Sequence, residues 1–251
     1  MALFLLSGAT TAERPLLVPR THNDYAYQAR AAAAAVSLTE DDVYLVGPSA
    51  ESPFAVGRPG AVGTLSVGGT VVLPDAPGAA AHLALVERER VTLTSLEPAT
   101  AGLWLDAFPA VRADMSSLRL VQLGGAPPDR VTAARIGATW GCRLQQDVGM
   151  AEGLVTLTAP VGPDASELST HGRPLSPDDE IRIVGPGGED VPEGERGELL
   201  VRGPYTLRGY YRAPVPDTGS FSDDGYFRTG VLARRTPDGD LVMTGRLTER
   251  A

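Results

Sequence analysis

Short apolar runs alternate with helix-forming segments over most of the first 160 residues, and this alternation constrains the fold more than any other feature of the sequence. The predicted strands are 3–6, 43–47, 91–96, 118–123 and 143–146, and the predicted helices are 23–36, 79–90, 99–108 and 131–137. Strands and helices that alternate at this spacing are typical of βαβ units, in which helices connect parallel strands. The sequence therefore predicts an α/β subdomain over residues 1–160, with a mostly parallel sheet and flanking helices.

The pattern changes after residue 160, where short strand-like runs are broken by Gly, Pro and Asp. These runs are 181–184, 197–202, 205–212, 225–228 and 240–244, and no helix-forming segment separates them. Such runs favour an antiparallel arrangement, either a small barrel or a distorted sheet. We therefore expect a second, small β subdomain over residues 161–251.

The composition argues against several classes of function. A net charge of −9 and the absence of a basic cluster disfavour nucleic acid as a partner. No apolar run is long enough to span a membrane, and the first residues lack the basic flank of a signal peptide. A single cysteine, Cys142, excludes an internal disulfide, so a cytoplasmic location is expected.

A loop of small and hydroxyl-bearing residues, 7–12, follows the apolar run Leu3–Leu6, which we expect to be a short buried strand. Small side chains let backbone N–H groups approach an anion, and hydroxyl groups add further donors. Ser7, Thr10 and Thr11 are therefore candidate phosphate contacts. The alternative is that this loop is only a turn from a strand to a helix.

Seven phrases of the sequence occur in the order found in one enzyme superfamily. They are RTHNDY at 20–25, GGTVVL at 68–73, GGA at 124–126, GMAEGL at 149–154, RGPYTLRGYY at 202–211, GYFRTG at 225–230 and GR at 245–246. In these phrases the chain resembles the acid–AMP ligase (adenylate-forming) superfamily. The resemblance is closest to its aryl-acid branch, the 2,3-dihydroxybenzoate– and salicylate–AMP ligases of siderophore pathways. A ligase of this kind carries a further N-terminal subdomain and a mobile C-terminal domain, so the chain resembles its middle half.

The resemblance implies a nucleotide site that has been partly lost. It assigns ATP contacts to the loop of Ser7, Thr10 and Thr11, to Gly124, Gly125 and Ala126, and to Arg246, and it assigns Mg²⁺ to Glu152. Two loop glycines of the family are Ala9 and Ala12 here, and Val231 replaces the aspartate that binds the ribose. We therefore expect that ATP and Mg²⁺ binding have been lost and that the chain has no cofactor.

The resemblance also implies an altered pocket for the aryl acid. Ser52, Pro53 and Phe54 stand where the family has a His-Asn-aromatic step, and proline cannot replace the hydrogen bonds of the asparagine. Asp147 and Val148 replace an apolar-aromatic pair, and the lining continues with Gly149 and Met150. Because a carboxylate repels an anionic acid, we expect the pocket to reject free dihydroxybenzoate and salicylate.

These observations predict a degenerate aryl-acid adenylation domain of a siderophore or nonribosomal peptide pathway. It would bind or transform a small aryl or acyl ligand without ATP, with Asp147, Glu152 and His22 as candidate acid/base groups. Asp147 should have a raised pKa in a partly buried cleft. Two alternatives are a non-catalytic scaffold and a fragment of an active ligase. We also expect a homodimer or a partner biosynthetic enzyme to cover an exposed apolar face.

Overall fold

The computed structural model describes residues 1–7, 15–47, 52–125, 128–162, 168–213 and 219–247. The helices in this part of the chain are α1 His22–Ala35, α2 Pro53–Gly57, α3 Gly60–Ser66, α4 Ala79–Arg88, α5 Pro98–Val111 and α6 Arg130–Trp140. The strands are β1 Leu3–Leu6, β2 Leu17–Arg20, β3 Val43–Leu45, β4 Thr70–Val72, β5 Leu93–Leu96, β6 Leu120–Gly124, β7 Arg143–Gly149, β8 Val155–Leu157, β9 Arg173–Pro174, β10 Glu180–Val184, β11 Gly197–Arg202, β12 Phe227–Arg235 and β13 Leu241–Arg246.

The chain divides into two compact units. The first, called the α/β unit, contains Gln28–Val148 and Leu157–Ser169, and the second, called the β unit, contains Met1–Tyr27, Gly149–Thr156 and Thr170–Ala251. The sequence predicted a single change of structure near residue 160, whereas the units are built from non-contiguous segments. Backbone hydrogen bonds place these earlier segments in the β unit. The Tyr211 N–H donates to the Leu17 carbonyl, and the Leu207 N–H donates to the Glu152 carbonyl.

Parallel strands form the centre of the α/β unit. Their order is β4-β3-β5-β6-β7, and every neighbouring pair is parallel. This confirms the predicted α/β fold with a mostly parallel sheet. The core contains the rings of Trp104 and Trp140, whose centroids lie 5.9 Å apart among buried aliphatic side chains.

Local sequence signals set the ends of α6. Asp129 caps its first turn, because the carboxylate accepts a hydrogen bond of 2.9 Å from the Thr132 N–H. Gly141 ends the helix in the left-handed conformation, with φ +68°, which glycine adopts without a steric penalty. These two signals place α6 directly before β7, whose far end carries Asp147.

Antiparallel strands dominate the β unit, as the sequence predicted. Strands β10-β11-β12-β13 form a sheet in that order, and β1 and β2 form a separate antiparallel pair. Leu199, Val201 and Phe227 lie in the apolar core of this unit.

Three details of the sequence-based description were wrong. Strand β1 is not buried, because Phe4 and Leu6 are 42% and 62% exposed. The loop after β1 leads to strand β2 and not to a helix, since β2 pairs with β1 over Leu17–Arg20. Residues 205–212 do not form a strand, and among the described residues they contribute only an isolated bridge from Tyr211 to Leu17.

No helix in the described part of the chain is long and apolar enough to cross a membrane.

Candidate functional site

A ladder of polar side chains crosses the sheet of the α/β unit. The Ser95 hydroxyl donates to Gln122 over 3.2 Å, and the Gln122 amide donates to Gln145 over 2.9 Å. The Gln145 amide then donates to the Thr158 carbonyl over 2.9 Å. All of these groups are buried and paired, so this part of the sheet face is a satisfied polar layer.

One step nearer the carboxyl ends of the strands, the same face carries Gly124 and Asp147. Because side chains alternate along a strand, residues 122 and 124 share a face, as do residues 145 and 147. Gly124 and Asp147 are directly opposite each other in the register of β6 and β7. Ligand sites of open α/β sheets lie at the carboxyl ends of their strands, which makes this position a candidate site.

Helix α2 places an aromatic ring over this position. The Ser52 hydroxyl caps the helix by accepting a hydrogen bond of 3.2 Å from the Phe54 N–H. The buried Phe54 ring lies so close to Gly124 that a Cβ atom at Gly124 would stand 2.3 Å from Phe54 Cε1. Glycine is therefore required here because the ring occupies the place of a side chain.

Arg58 follows α2 and forms an ion pair with Asp147. Its Nη1 donates a hydrogen bond of 2.9 Å to Asp147 Oδ1, and the two side chains are 11% and 0% exposed. The guanidinium carbon also lies 5.1 Å from the centroid of the Phe54 ring, within the range of a cation–π contact. Arg58 therefore connects the carboxylate at the end of β7 to the aromatic side chain of α2.

Burial raises the pKa of Asp147 to about 6, and the positive charge of Arg58 partly opposes this rise. The direction agrees with the expectation from the sequence. Burial also raises the pKa of the nearby Tyr44 hydroxyl, and the charge of Asp147 adds to that effect. The site is therefore a region of low polarity in which charged groups interact strongly.

The ion pair leaves two buried polar atoms without a partner. Asp147 Oδ2 and Arg58 Nε make no hydrogen bond within the part of the chain that the structure describes. An unpaired buried polar atom costs about 1–3 kcal/mol, and more when it is charged. The hydrogen-bonding capacity of these two atoms is therefore unsatisfied within the described part of the chain. The Gln146 amide likewise has no partner among the described residues, but strand alternation directs it to the opposite face of the sheet.

Sequence reasoning identified Asp147, Ser52 and Phe54 but missed Arg58. The available signal was that Arg58 is the one charged residue among 52–60. Val148, the next predicted pocket residue, is half-buried at the end of β7 in the same unit. Gly149 and Met150 belong to the β unit, where the Met150 N–H donates to the Leu154 carbonyl over 2.8 Å.

In the β unit, Glu152 lies within the turn that Met150 and Leu154 close. Its side chain is 3% exposed, and its Oε1 accepts a hydrogen bond of 3.1 Å from the Tyr210 hydroxyl. Burial raises the pKa of Glu152, while its own backbone N–H, the Tyr210 hydroxyl and the Arg246 charge lower it. Glu152 is therefore a buried carboxylate that already has a protein partner.

The two positions that the resemblance assigns to ribose are neighbours in the β unit. Val231 and Arg246 are directly opposite each other in the register of β12 and β13. Arg246 is exposed, but the buried Val231 side chain cannot accept a hydrogen bond from a hydroxyl group. No group of three potential metal ligands occurs among the described residues. Of the two ribose positions, Arg246 keeps the residue that the resemblance expects and Val231 does not.

The phosphate loop is only partly described. The Ser7 hydroxyl accepts a hydrogen bond of 2.8 Å from the Leu16 N–H, which closes the β1–β2 hairpin. Gly125 is exposed and has φ +86°. Thr10, Thr11 and Ala126 lie outside the described residues.

His22 is the exposed first residue of α1, and its neighbours form a structural cluster. The Asp24 carboxylate accepts hydrogen bonds from the Thr21 N–H over 2.8 Å and from Arg20 Nε over 2.9 Å. Arg20 is 1% exposed and also donates to the Ala151 carbonyl over 3.3 Å. The phrase around His22 therefore fixes the start of the helix. No hydrogen bond or ion pair between His22 and Glu152 is found in the described part of the chain.

Comparisons with known proteins match most or all of the chain. The AMP-binding enzyme family matches residues 1–211. Pyochelin synthase PchD of Pseudomonas aeruginosa is 49% identical over 246 residues, which are 98% of this chain and 45% of that protein. The 2,3-dihydroxybenzoate-AMP ligase of Bacillus subtilis is 42% identical over 250 residues, or 100% of this chain and 46% of that protein.

A solved structure gives the same result. The apo structure of MbtA from Mycobacterium smegmatis has a TM-score of 0.88 and 47% identity, and the match covers 99% of this chain and 46% of that one. The chain therefore spans about half the length of the proteins that it matches.

Proposed function

The chain belongs to the AMP-binding enzyme family, and on that premise we propose that it binds an aromatic carboxylic acid, or an acyl group derived from one, without adenylating it by itself. The family that the seven phrases predicted is confirmed. A related protein is named as a 2,3-dihydroxybenzoate-AMP ligase, so the proposed ligand class agrees with the name of that relative. A siderophore-like or nonribosomal peptide pathway is the setting that the resemblance implies.

The observation that carries the proposal is the buried cluster of Phe54, Arg58 and Asp147. An aromatic ring, an ion pair and two unpaired polar atoms meet at the carboxyl ends of β6 and β7. Apolar walls with a few convergent polar groups are the usual construction of a small-molecule site. A flat aromatic acid suits this combination because its ring can pack on Phe54 while its polar groups reach the pair.

The absence of autonomous adenylation is proposed from the nucleotide positions. Val231 supplies no carboxylate opposite Arg246. Glu152 is buried, and its carboxylate already accepts a hydrogen bond from the Tyr210 hydroxyl. Loss of one well-placed polar group of an active site costs about 3–4 kcal/mol, which slows a reaction by a factor of about 10²–10³. With several groups affected, we expect adenylation to fall to the background rate.

Pyrophosphate exchange tests this part of the proposal. The 251-residue chain is incubated with ATP, labelled pyrophosphate and a panel of benzoic acids, and we expect no exchange above a blank without protein. The 2,3-dihydroxybenzoate-AMP ligase of Bacillus subtilis, assayed under the same conditions, is the positive control. Exchange well above the blank with any acid would refute the proposal. The variant Val231→Asp should bind AMP more tightly than the parent chain and still show no exchange.

Other predictions from the sequence stay predictions. Asp147 is ion-paired, Glu152 is hydrogen-bonded and His22 is exposed, so the described contacts favour ligand binding over acid/base catalysis. The homodimer or partner enzyme is likewise a prediction, for which light scattering of the purified chain is the direct measurement.

A further inference from the structure

We propose that Arg58 and Asp147 make the site selective for an aromatic carboxylic acid that carries an amino group beside its acid group. This inference rests on the proposed function, because it concerns the ligand of the same site. It is based on which atoms of the ion pair remain unpaired and on which ligand groups can satisfy them.

The unpaired atoms require one donor and one acceptor from the ligand. Asp147 Oδ1 already accepts from Arg58, so Oδ2 is the oxygen that lacks a donor among the described residues. Arg58 Nε likewise lacks an acceptor among the described residues. The carboxylate of an aromatic acid is an acceptor for Nε, and a ring substituent with an N–H is a donor for Oδ2.

Beside the acid group of the ligand, an amino group fits Oδ2 better than a hydroxyl group does. A hydroxyl beside the acid group of a benzoate has a single proton, which it donates to its own carboxylate, so only lone pairs remain for Asp147. Lone pairs that face a carboxylate are repelled. An amino group at the same position has two protons, so that one N–H can remain internal while the other reaches Asp147. If the group is protonated, its hydrogen bond to Asp147 is charge-assisted and stronger still.

The overall charge of the ligand does not decide the selection. Arg58 and Asp147 form a neutral pair, with Nη1 and Oδ1 2.9 Å apart, so the attraction of one for an anionic acid is offset by the repulsion of the other. Selection therefore falls on the substituent that faces Oδ2. Phe54 supplies the flat wall, because its ring lies directly against Gly124.

Calorimetric titration of the 251-residue chain tests the inference with ligands that differ in one substituent. The ligands are benzoate, 2-hydroxybenzoate and 2-aminobenzoate. We expect 2-aminobenzoate to bind at least tenfold more tightly than both benzoate and 2-hydroxybenzoate. Equal affinity for amino and hydroxy acids would overturn the inference and leave the proposed function intact. If none of the acids binds, the proposed function itself fails.

The double variant R58M/D147V removes both charges and so leaves no unpaired buried charge. We expect it to lose the tenfold preference and to bind unsubstituted benzoate at least as well as 2-aminobenzoate. A preference that persists in the double variant would assign the selection to other residues and overturn the inference. The matched control is Arg135→Met, which breaks an ion pair with Asp106 in the same unit. This pair is exposed to solvent, since the side chain of Arg135 is 50% exposed and that of Asp106 is 71% exposed. This control should keep the preference of the parent chain.

Discussion

Removal of Arg58 should destabilise the α/β unit in a strongly pH-dependent way. In the variant Arg58→Met, Asp147 remains at the end of β7 with 0% exposure and without its counter-charge. Breaking a buried ion pair by removing one partner costs about 3–5 kcal/mol. We therefore expect the free energy of unfolding at pH 8 to fall by about that amount.

The pKa of Asp147 gives the sign of the pH dependence. The folded chain holds this pKa at about 6, above the ordinary value of 3.8, so the folded state binds the proton more tightly than the unfolded state does. The contribution of this carboxyl to stability is therefore greatest below pH 3.8 and is lost as the pH rises through about 6. Without Arg58 the folded pKa rises further, because the guanidinium lowers it in the parent chain. At pH 4.5 Asp147 is then mostly neutral, and the loss in the free energy of unfolding caused by Arg58→Met should fall below about 1.5 kcal/mol.

Tryptophan fluorescence during urea unfolding measures this effect. The chain has two tryptophans, Trp104 and Trp140, and both lie in the core of the α/β unit with 1% and 4% exposure. The signal therefore reports on the unit that contains the mutated pair. With an m-value of about 2 kcal/mol/M, a loss of about 4 kcal/mol lowers the unfolding midpoint by about 2 M urea.

Two controls separate the charge effect from loss of packing. The double variant R58M/D147V should be more stable than Arg58→Met at pH 8, because no buried charge remains unpaired. Arg135→Met breaks an exposed ion pair and should change stability by less than about 1 kcal/mol at either pH. A penalty for Arg58→Met that is below about 1 kcal/mol at pH 8, or equal at pH 4.5 and pH 8, would refute the reasoning.

Two further predictions concern the β unit and can be checked by urea unfolding followed by circular dichroism. Gly153→Ala should lower stability by about 3 kcal/mol, because Gly153 has φ +125° and an added Cβ would lie 2.2 Å from the Tyr205 carbonyl oxygen. The matched variant Gly188→Ala should cost only about 1 kcal/mol, since Gly188 has φ +86° but nothing within 4 Å, and equal costs would contradict the steric argument. Asp24→Ala should cost about 3–5 kcal/mol, because it removes both the carboxylate that accepts from Thr21 at the start of α1 and the ion pair with the buried Arg20. Asp24→Asn keeps a side-chain acceptor for Thr21 and should lose about 1 kcal/mol less, and a loss as large as that of Asp24→Ala would show that the cap contributes nothing.

The parallel sheet could be predicted from the sequence because its signals are local. Each strand is a short apolar run, and helices such as α6 carry their own start and stop residues, Asp129 and Gly141. Burial on both faces makes the strands β5 and β6 apolar enough to be recognised without knowledge of their neighbours. The order of the strands follows from long-range pairing, which leaves no such local signal.

Strand β2 was missed because its sequence argues against a strand. It contains Pro19, which lacks a backbone N–H and is depleted in sheet interiors. Proline is tolerated here because β2 pairs with β1 in a two-stranded sheet, where Pro19 lies opposite Phe4. The segment 205–212 shows the opposite error, since its aromatic residues suggested a strand that only long-range pairing could have formed.

The candidate site could be predicted only in part, for the same physical reason. Asp147 was identified because the resemblance expects an apolar residue at its position, but its partner Arg58 lies 89 residues earlier in the chain. Nothing local to Arg58 indicates that its side chain reaches the end of β7. The contact depends on the path of α2 over the sheet, which sequence patterns do not specify.

The pocket and the nucleotide positions have changed in different ways, and this difference argues against general decay. A carboxylate buried at Asp147 is unfavourable by itself, yet Arg58 meets it at 2.9 Å and also lies over the Phe54 ring. At the ribose position, by contrast, the resemblance expects an aspartate, and Val231, which has no carboxylate, lies opposite Arg246. Random loss of function would produce uncompensated changes in both places. A buried charge and its partner must arise together to preserve the fold, and random change does not supply such pairs. At Asp147 the change is compensated by Arg58, and at Val231 it is not compensated. This pattern is expected if the acid site is maintained for a different ligand while the nucleotide contacts are not.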